Sequence, residues 1–137
     1  MDVFLENSIK SRLKEKWTET PIEFENEFFT KTNGVAYIRP QVEISVTQSA
    51  GVFKQNRVSK RKINATGFIL ISVFVPLKDG TARISRFCSE LKNIMTFWAD
   101  GPLECGNGIT KRVGKRSEWY QRNVIIDFNY QGCEEVN

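Results

Sequence analysis

The sequence predicts an α+β fold, in which an antiparallel or mixed β-sheet has an N-terminal helix and a second helix packed on one face. Two segments repeat apolar residues with a helical period, and the segments between and after them alternate apolar and polar residues. Strands that are grouped in this way, instead of alternating regularly with helices, are typical of an α+β sandwich. The chain has 137 residues, the usual size of one domain, so residues 1–137 are predicted to form a single domain.

The first helix is predicted over residues 3–17. Apolar side chains occupy every fourth position of this segment, at Leu5, Ile9, Leu13 and Trp17. Lysines and arginines occupy positions between them. That spacing places the apolar side chains on one stripe of a helix, which should face the core.

An acidic segment follows, which we call the acidic ribbon (residues 22–28). Three glutamates alternate along it with apolar residues and one asparagine. Period-two alternation predicts an extended chain with one buried face and one charged face. The glutamates, which are candidate subunit contacts, are Glu23, Glu25 and Glu27. At ordinary strand rise they span about 13 Å, so they cannot converge unaided on one metal ion.

Residues 35–47 are predicted to form a strand that starts at an edge or a bulge, because Pro40 cannot donate a backbone hydrogen bond. Residues 48–62 show no clear period and are rich in polar and basic groups. They are predicted to be a long basic loop or a mobile hairpin tip. The candidate contact residues of this basic loop are Lys54, Arg57, Lys60, Arg61 and Lys62.

The second half of the chain contains the clearest strand and helix patterns. Residues 63–75 are apolar on both faces, which predicts a central, covered strand. Apolar positions in residues 82–98 match helical spacing and predict the second helix. Two further strands are predicted near residues 103–113 and over residues 120–130. Residues 131–137 are predicted to be a frayed tail.

The composition leaves few routes to catalysis. The chain has no histidine, which removes Ser–His and Cys–His nucleophile pairs and His-based metal sites. Cys105 lies between glycine and glutamate and lacks the usual base that would activate a thiol. The three cysteines have no CxxC spacing, which favours free thiols in a reducing compartment. We therefore predict that the protein is not an enzyme and has no catalytic residue, metal site or cofactor.

Charge is unevenly distributed, although the net charge is only +4. No acidic residue lies between Glu43 and Asp79, and the basic loop falls in that gap. Such a loop is either a solvated segment or a surface that meets a negative partner. The partner could be a nucleic acid, although Phe53 alone is available for base stacking. It could also be the acidic ribbon of another copy, in a head-to-tail contact that closes into a ring where the rotation permits.

An ordered set of short motifs resembles the tail terminator, or tail-completion, proteins of long-tailed (siphovirus-type) bacteriophages. The first helix ends in Leu-x-x-x-Trp, a Pro-x-x-aromatic-x-Asn-x-x-Phe element follows, and an aromatic-x-Arg pattern leads into a strand. A glycine-led strand with Val-Phe-Val-Pro, a glycine turn, a helix and an aromatic-led last strand complete the order. The matching residues are Leu13, Trp17, Pro21, Phe24, Asn26, Phe29, Tyr37, Arg39, Gly67, residues 73–76, Gly80, Trp119 and Tyr120.

This resemblance covers nearly the whole chain and implies a structural virion protein that acts as a ring, usually a hexamer. Such a ring caps the tail tube, ends tail polymerisation and offers the surface that joins the head. The implied partners are copies of the chain itself, the major tail tube protein and the head–tail connector or neck protein. DNA would pass through the lumen without sequence-specific binding, and no membrane is involved. The implied location is the head-proximal end of the virion tail, and the host cytoplasm during assembly.

Two other functions stay open at this point. One is a neck or head-completion connector protein of the same virion, and the other is a small nucleic-acid-binding module that uses the basic loop. Within a ring, we expect Ile22, Phe24 and Phe28 to hold the acidic ribbon on the domain while its glutamates face a neighbouring subunit. The basic loop would then face the neighbour, the lumen or the head connector.

Overall fold

The computed structural model describes residues 1–25, 27–30 and 34–135. The elements in chain order are α1 (Asp2–Lys16), β1 (Tyr37–Gln55), β2 (Val58–Pro76), α2 (Ala82–Met95), β3 (Ala99–Asp100), β4 (Leu103–Arg116) and β5 (Trp119–Glu135). The five strands form one sheet in the order β1-β2-β5-β4-β3, and every neighbouring pair is antiparallel. The predicted α+β fold class is confirmed.

The core lies between the two helices and one face of the sheet. The apolar stripe predicted for the first helix is buried at all four positions, Leu5, Ile9, Leu13 and Trp17. Helix α2 contributes Ile84, Phe87, Cys88, Leu91 and Met95 to the same cluster. Trp17 and Phe87 join the two helices through an edge-on ring contact with centroids 5.5 Å apart. The helical period of the sequence therefore marked the core-facing side of both helices.

Strand β2 is central, as its apolar character predicts. It pairs with β1 on one side and β5 on the other. Residues 71–76 are buried on both faces. On the face opposite the helices, which we call the open face, Phe74 is covered by a stacked Tyr37 ring at 4.6 Å. Trp119 meets the same Tyr37 ring edge-on.

The prediction of a long loop over residues 48–62 is wrong, and its alternative, a hairpin tip, is correct. Strand β1 continues to Gln55 and β2 begins at Val58, with a two-residue turn between them. Asn56 and Arg57 both have positive φ, 53° and 66°, as a type I′ turn requires. Most side chains in this stretch are exposed on either face. The sequence therefore shows no apolar alternation, although the backbone is paired.

The prediction of a frayed tail over residues 131–137 is also wrong for residues 131–135, the part of it that the structure describes. Strand β5 runs to Glu135 and pairs with β2 at Lys60, Arg61 and Lys62. Residues 136–137 lie outside the described residues. Residues 48–62 and 131–135 thus form a three-stranded extension of the sheet, which we call the arm.

The acidic ribbon is not a strand. Ile22 forms a single parallel bridge with Ile38 at the edge of β1. Ile38 N–H donates to Pro21 O, and Glu23 N–H donates to Ile38 O. The next bond of that parallel ladder would need an N–H at Pro40, which proline lacks. The ribbon therefore leaves the edge after one bridge and turns at Glu25.

The apolar residues of the ribbon are not all anchors. Phe28 is 95% exposed, so its predicted role in holding the ribbon on the domain is wrong. Phe29 makes the ring contact instead, at 5.4 Å from Tyr37 on the open face. Ile22 and Phe24 pack against the core cluster, as predicted. Asn26, which is part of the motif set, lies outside the described residues.

The second helix ends earlier than predicted. It stops at Met95 instead of residue 98, because Thr96 is already extended and Phe97 has φ 58°. The strand near residues 103–113 is confirmed and continues to Arg116. The predicted last strand over residues 120–130 is confirmed within the longer β5.

A pair of phenylalanine variants tests this division into core and surface. Phe87→Ala should lower the free energy of unfolding by about 3–5 kcal/mol, the usual cost of truncating a buried aromatic side chain; Phe87 is 1% exposed. Phe28→Ala should change it by less than about 0.5 kcal/mol. Urea unfolding followed by tryptophan fluorescence measures both values, and equal losses would contradict the assigned core.

Candidate functional site

The sheet has two outer edges with little strand pairing. On the outer side of β1, away from β2, the bridge at Ile38 is the one contact with another extended segment among the described residues. On β4, the short strand β3 covers Leu103 and Glu104. Residues 108–116 of β4 have no strand on their outer side in the part of the chain that the structure describes. Unpaired edges are the parts of a sheet that other chains meet most readily.

The glutamates of the acidic ribbon lie beside the β1 edge, and two of them are used within the domain. Glu23 Oε2 accepts a hydrogen bond from Arg39 Nε at 2.9 Å. Glu27 Oε1 accepts a hydrogen bond from Lys10 Nζ on α1. Glu25 is exposed and forms no ion pair with any described residue. Glu25 is therefore the ribbon carboxylate with the most freedom to meet a partner.

The Lys10 contact also affects titration. The hydrogen bond from Lys10 holds the pKa of Glu27 below its ordinary value of 4.5. The charge of Lys14 acts in the same direction. Because this pKa is lowered in the folded chain, the contact stabilises the fold above about pH 4.5 and loses that effect as the pH falls further.

A shallow pocket of about 130 Å³ opens at the β1 edge beside the ribbon, between α1, the ribbon and β1. It contains two carboxylates, Glu6 and Glu25, and one ammonium, Lys10, which is engaged by Glu27. The other lining residues are Asn7, Ile9, Phe24, Pro40, Gln41 and Val42. Glu6 was not predicted from the sequence, because there it is one of several charged residues on the outer side of a helix.

The predicted basic-loop residues lie on the arm but do not form one patch. Alternation along β2 places Lys60 and Lys62 on the open face, while Arg61 shares the helix-side face with the buried Ile63. Arg57 lies in the turn, and Lys54 is on the helix-side face opposite Ser59.

Three of the arm cations have described neighbours. Lys60 Nζ donates a hydrogen bond to Gln55 Oε1 at 3.3 Å. Arg61 Nη2 is 3.7 Å from Glu134 Oε2 on β5. The Lys62 ammonium lies 5.8 Å from the centroid of the Phe53 ring. Phe53, the one aromatic ring of this segment that was predicted to be available for base stacking, is therefore already contacted by a lysine.

A second basic surface, which the sequence analysis missed, follows β4. We call it the β4 basic edge, and it consists of Lys111, Arg112, Lys115 and Arg116. All four side chains are exposed, and none forms an ion pair with a described residue. No acidic residue lies between Glu104 and Glu118. That gap in the sequence could have revealed the surface, but only the strand order places it at an edge.

One further cation lies next to this edge in the helix-side layer. Arg122 of β5 is 8% exposed and pairs directly across from Arg112. Its Nη1 donates to Ser85 Oγ on α2 at 2.7 Å, and its Nε has no hydrogen-bond partner among the described residues. Like charges directly opposite each other on neighbouring strands are destabilising. The Arg122 guanidinium also lies 5.7 Å from the Tyr120 ring centroid, so the β4 basic edge has a buried cation with no described carboxylate partner behind it.

The three cysteines are free, as predicted. Burial raises the pKa of Cys88 to about 11 and that of Cys105 to about 12. Both thiols are therefore protonated at neutral pH. Cys133, on the arm, is exposed.

In the described part of the chain, no group of three or more His, Cys, Asp or Glu side chains could hold a metal ion. None of the described helices combines the length and apolar character that a membrane-spanning helix needs.

No protein-family model matches the chain, and no curated protein matches it either. Solved structures do match. One of them, whose name states no function, superposes with a TM-score of 0.64 at 15% sequence identity, over 92% of this chain and 95% of the other. A similarity at this level of identity shows a shared fold and carries no information about function.

The ribbon contact can be tested by titration. Lys10→Gln removes the hydrogen-bond donor, so the pKa of Glu27 should rise toward 4.5. Carboxyl chemical shifts followed by NMR through acid pH measure it. Lys14→Gln is the matched control and should raise the pKa less, because Lys14 acts only through charge at a distance. An equal rise in both variants would show that the hydrogen bond is absent in solution.

Thiol reactivity tests the burial of the cysteines. In the native protein at neutral pH, a thiol reagent such as Ellman's reagent should modify Cys133 quickly and leave Cys88 and Cys105 unmodified. In denaturant all three should react. Mass spectrometry after alkylation identifies the modified positions, and fast native modification of Cys105 would contradict its described environment.

Proposed function

We propose that the protein is a structural virion protein that caps the tail tube of a long-tailed phage as a ring, ends tail polymerisation and provides the head-joining surface. One observation carries the proposal. The sheet has two different edges with little strand pairing on opposite sides, one beside the acidic ribbon and the other lined by exposed cations. A head-to-tail ring requires two distinct, complementary surfaces on every copy.

The motif residues that resemble tail terminator proteins support the proposal through their structural roles. Leu13 and Trp17 lie in the core. Phe29 packs on Tyr37, and Arg39 holds Glu23 of the ribbon. The motifs thus determine how the ribbon wraps around the β1 edge. A family that shares them would share the shape of this edge.

In this proposal the partners are other copies of the chain, usually six in a ring, the major tail tube protein and the head–tail connector or neck protein. DNA would cross the lumen without base-specific contacts. The protein would act at the head-proximal end of the tail, after assembly in the host cytoplasm. No catalytic step is part of the role.

A second candidate function is nucleic-acid binding by the arm. One observation favours it: Lys54, Arg57, Lys60 and Lys62, which lie on the two faces and in the turn of the arm, form no ion pair with a described residue. Binding of this kind depends on phosphate contacts and weakens steeply with salt. Salt-dependent retention of duplex DNA by the purified protein would favour this function. Retention that Lys60→Gln and Lys62→Gln do not reduce would exclude the arm.

The direct test of the tail role is to image phage particles made without the protein. Loss of a terminator should give overlong tails or tails that are not joined to heads, because nothing stops tube growth. Complementation with the wild-type gene should restore tails of uniform length. Tails of normal length beside heads that leak DNA would instead show a neck or head-completion protein. Normal, infectious particles would show that both virion roles are wrong.

A further inference from the structure

We propose that the β4 basic edge of one copy docks on the acidic ribbon and the Glu6–Glu25 pocket of a second copy of the chain. The contact is head-to-tail, and it is held mainly by side chains. This inference deepens the proposed ring and rests on it, because it names the two surfaces that meet at each subunit junction.

The two surfaces lie on opposite edges of the sheet, at the same position along the strand direction. Following the strand register from β4 through β5 and β2 to β1 places Arg112 level with Ile38. Ile38 is the residue that bridges the acidic ribbon. The same path places Ile109 level with Gln41, which lines the pocket. Two copies placed side by side without a shift along the strands therefore bring the basic edge of one to the acidic edge of the other.

The strand directions also fit. The order β1-β2-β5-β4 is antiparallel at every step, so β1 and β4 run in opposite directions. A rotation about an axis roughly parallel to the strands preserves strand direction in the next copy. The β4 edge of one copy then meets an oppositely directed β1 edge, which repeats the arrangement found inside each sheet.

The charges at this junction are complementary. The basic edge contributes four exposed cations, and the acidic side contributes Glu6 and Glu25, which form no ion pair with a described residue. A guanidinium or ammonium group that enters the pocket would find two carboxylates and the Phe24 ring, beside the Lys10 ammonium that Glu27 engages. Long basic side chains bury their carbon stems against such walls while the charged end meets the anion.

Two facing arginines, Arg112 in the basic edge and Arg122 behind it, also favour a carboxylate from a second copy. Arg112 and Arg122 lie directly opposite each other, and Arg122 is nine-tenths buried with an unpartnered Nε. Within one chain this arrangement costs free energy, since like charges face each other across a strand pair. A carboxylate brought by a neighbouring copy would lower that cost at Arg112. Glu25 has the exposure that this requires.

A continuous hydrogen-bonded sheet across the junction is not part of the proposal. At this height Ile38 already bonds the ribbon, and Pro40 has no N–H to offer. The neighbour therefore meets the ribbon and its side chains, and the specificity of the contact comes from charge.

The test is cross-linking between two introduced cysteines at the level edge positions. The two substitutions are Gln41→Cys and Ile109→Cys, in a Cys133→Ser background that removes the exposed native thiol. Both positions lie on the open face, at opposite edges and level along the strand direction. Ile109 is 52% exposed. With a short bis-maleimide, the double variant should give a ladder of covalent oligomers, both in concentrated solution and in purified particles. Each single variant should stay monomeric, because its one cysteine has no partner cysteine across a head-to-tail junction.

Charge reversal then tests the named residues. Arg112→Glu in the double-cysteine chain should reduce the ladder at least about tenfold, because like charges then face each other at the junction. Adding Glu25→Arg should restore a substantial part of it. Lys54→Glu on the arm is the matched control and should leave the ladder unchanged. A ladder that is insensitive to Arg112→Glu, or no ladder in solution and in particles alike, overturns the inference, as do dimers from a single-cysteine variant.

The result separates this inference from the proposed function. If the ladder forms and responds to charge, while particles without the protein have normal tails, the junction stands and the tail role fails. If particles without the protein have overlong tails but the ladder is absent, the tail role stands and the junction lies elsewhere. The Glu23/Glu25/Glu27→Gln triple variant is a poorer test, since it also breaks two contacts inside the domain.

Discussion

The structure depends on the pairing of β2 with a strand on each side. Near its end at Pro76 the strand is buried on both faces, by the helices on one side and by the Tyr37, Phe74 and Trp119 rings on the other. Toward Val58 the same two ladders continue into the arm, where few side chains are buried. One strand thus connects the most buried and the most exposed parts of the sheet. Backbone pairing, at a modest net gain per hydrogen bond, holds the exposed part together with a few side-chain contacts such as Arg61–Glu134.

Pro40 determines the shape of the β1 edge. Its missing N–H ends the parallel ladder that Ile22 starts at Ile38, so the acidic ribbon cannot become a full edge strand. The ribbon turns and crosses the edge, which places Phe24 on the helix side and Phe29 on the open face. The carboxylates of this segment therefore meet different neighbours instead of following one strand face: Glu23 contacts Arg39, Glu25 lines the pocket and Glu27 contacts Lys10.

Charge at the β4 edge has two effects at once. Cations on an edge strand prevent two identical edges from pairing, because the lysines and arginines of both copies would repel one another. The same cations attract an edge of opposite charge. Together these effects disfavour an isologous β4–β4 contact relative to the proposed head-to-tail one. Repulsion between wrong partners contributes to specificity as much as attraction between right ones.

The sequence by itself determined the parts of the protein where burial imposes a period. The stripe from Leu5 to Trp17, the apolar run of β2 and the alternation of β5 each reflect one buried face, so they predicted both helices and the α+β class correctly. Prediction from the sequence failed where burial imposes no apolar period. On the arm, both faces are solvated. Along the ribbon, strand pairing is ended by Pro40, a residue distant in the chain. Only the tertiary structure placed Arg112 level with Ile38, where the ribbon bridges the opposite edge, because strand order and register are set by pairing between segments far apart in sequence.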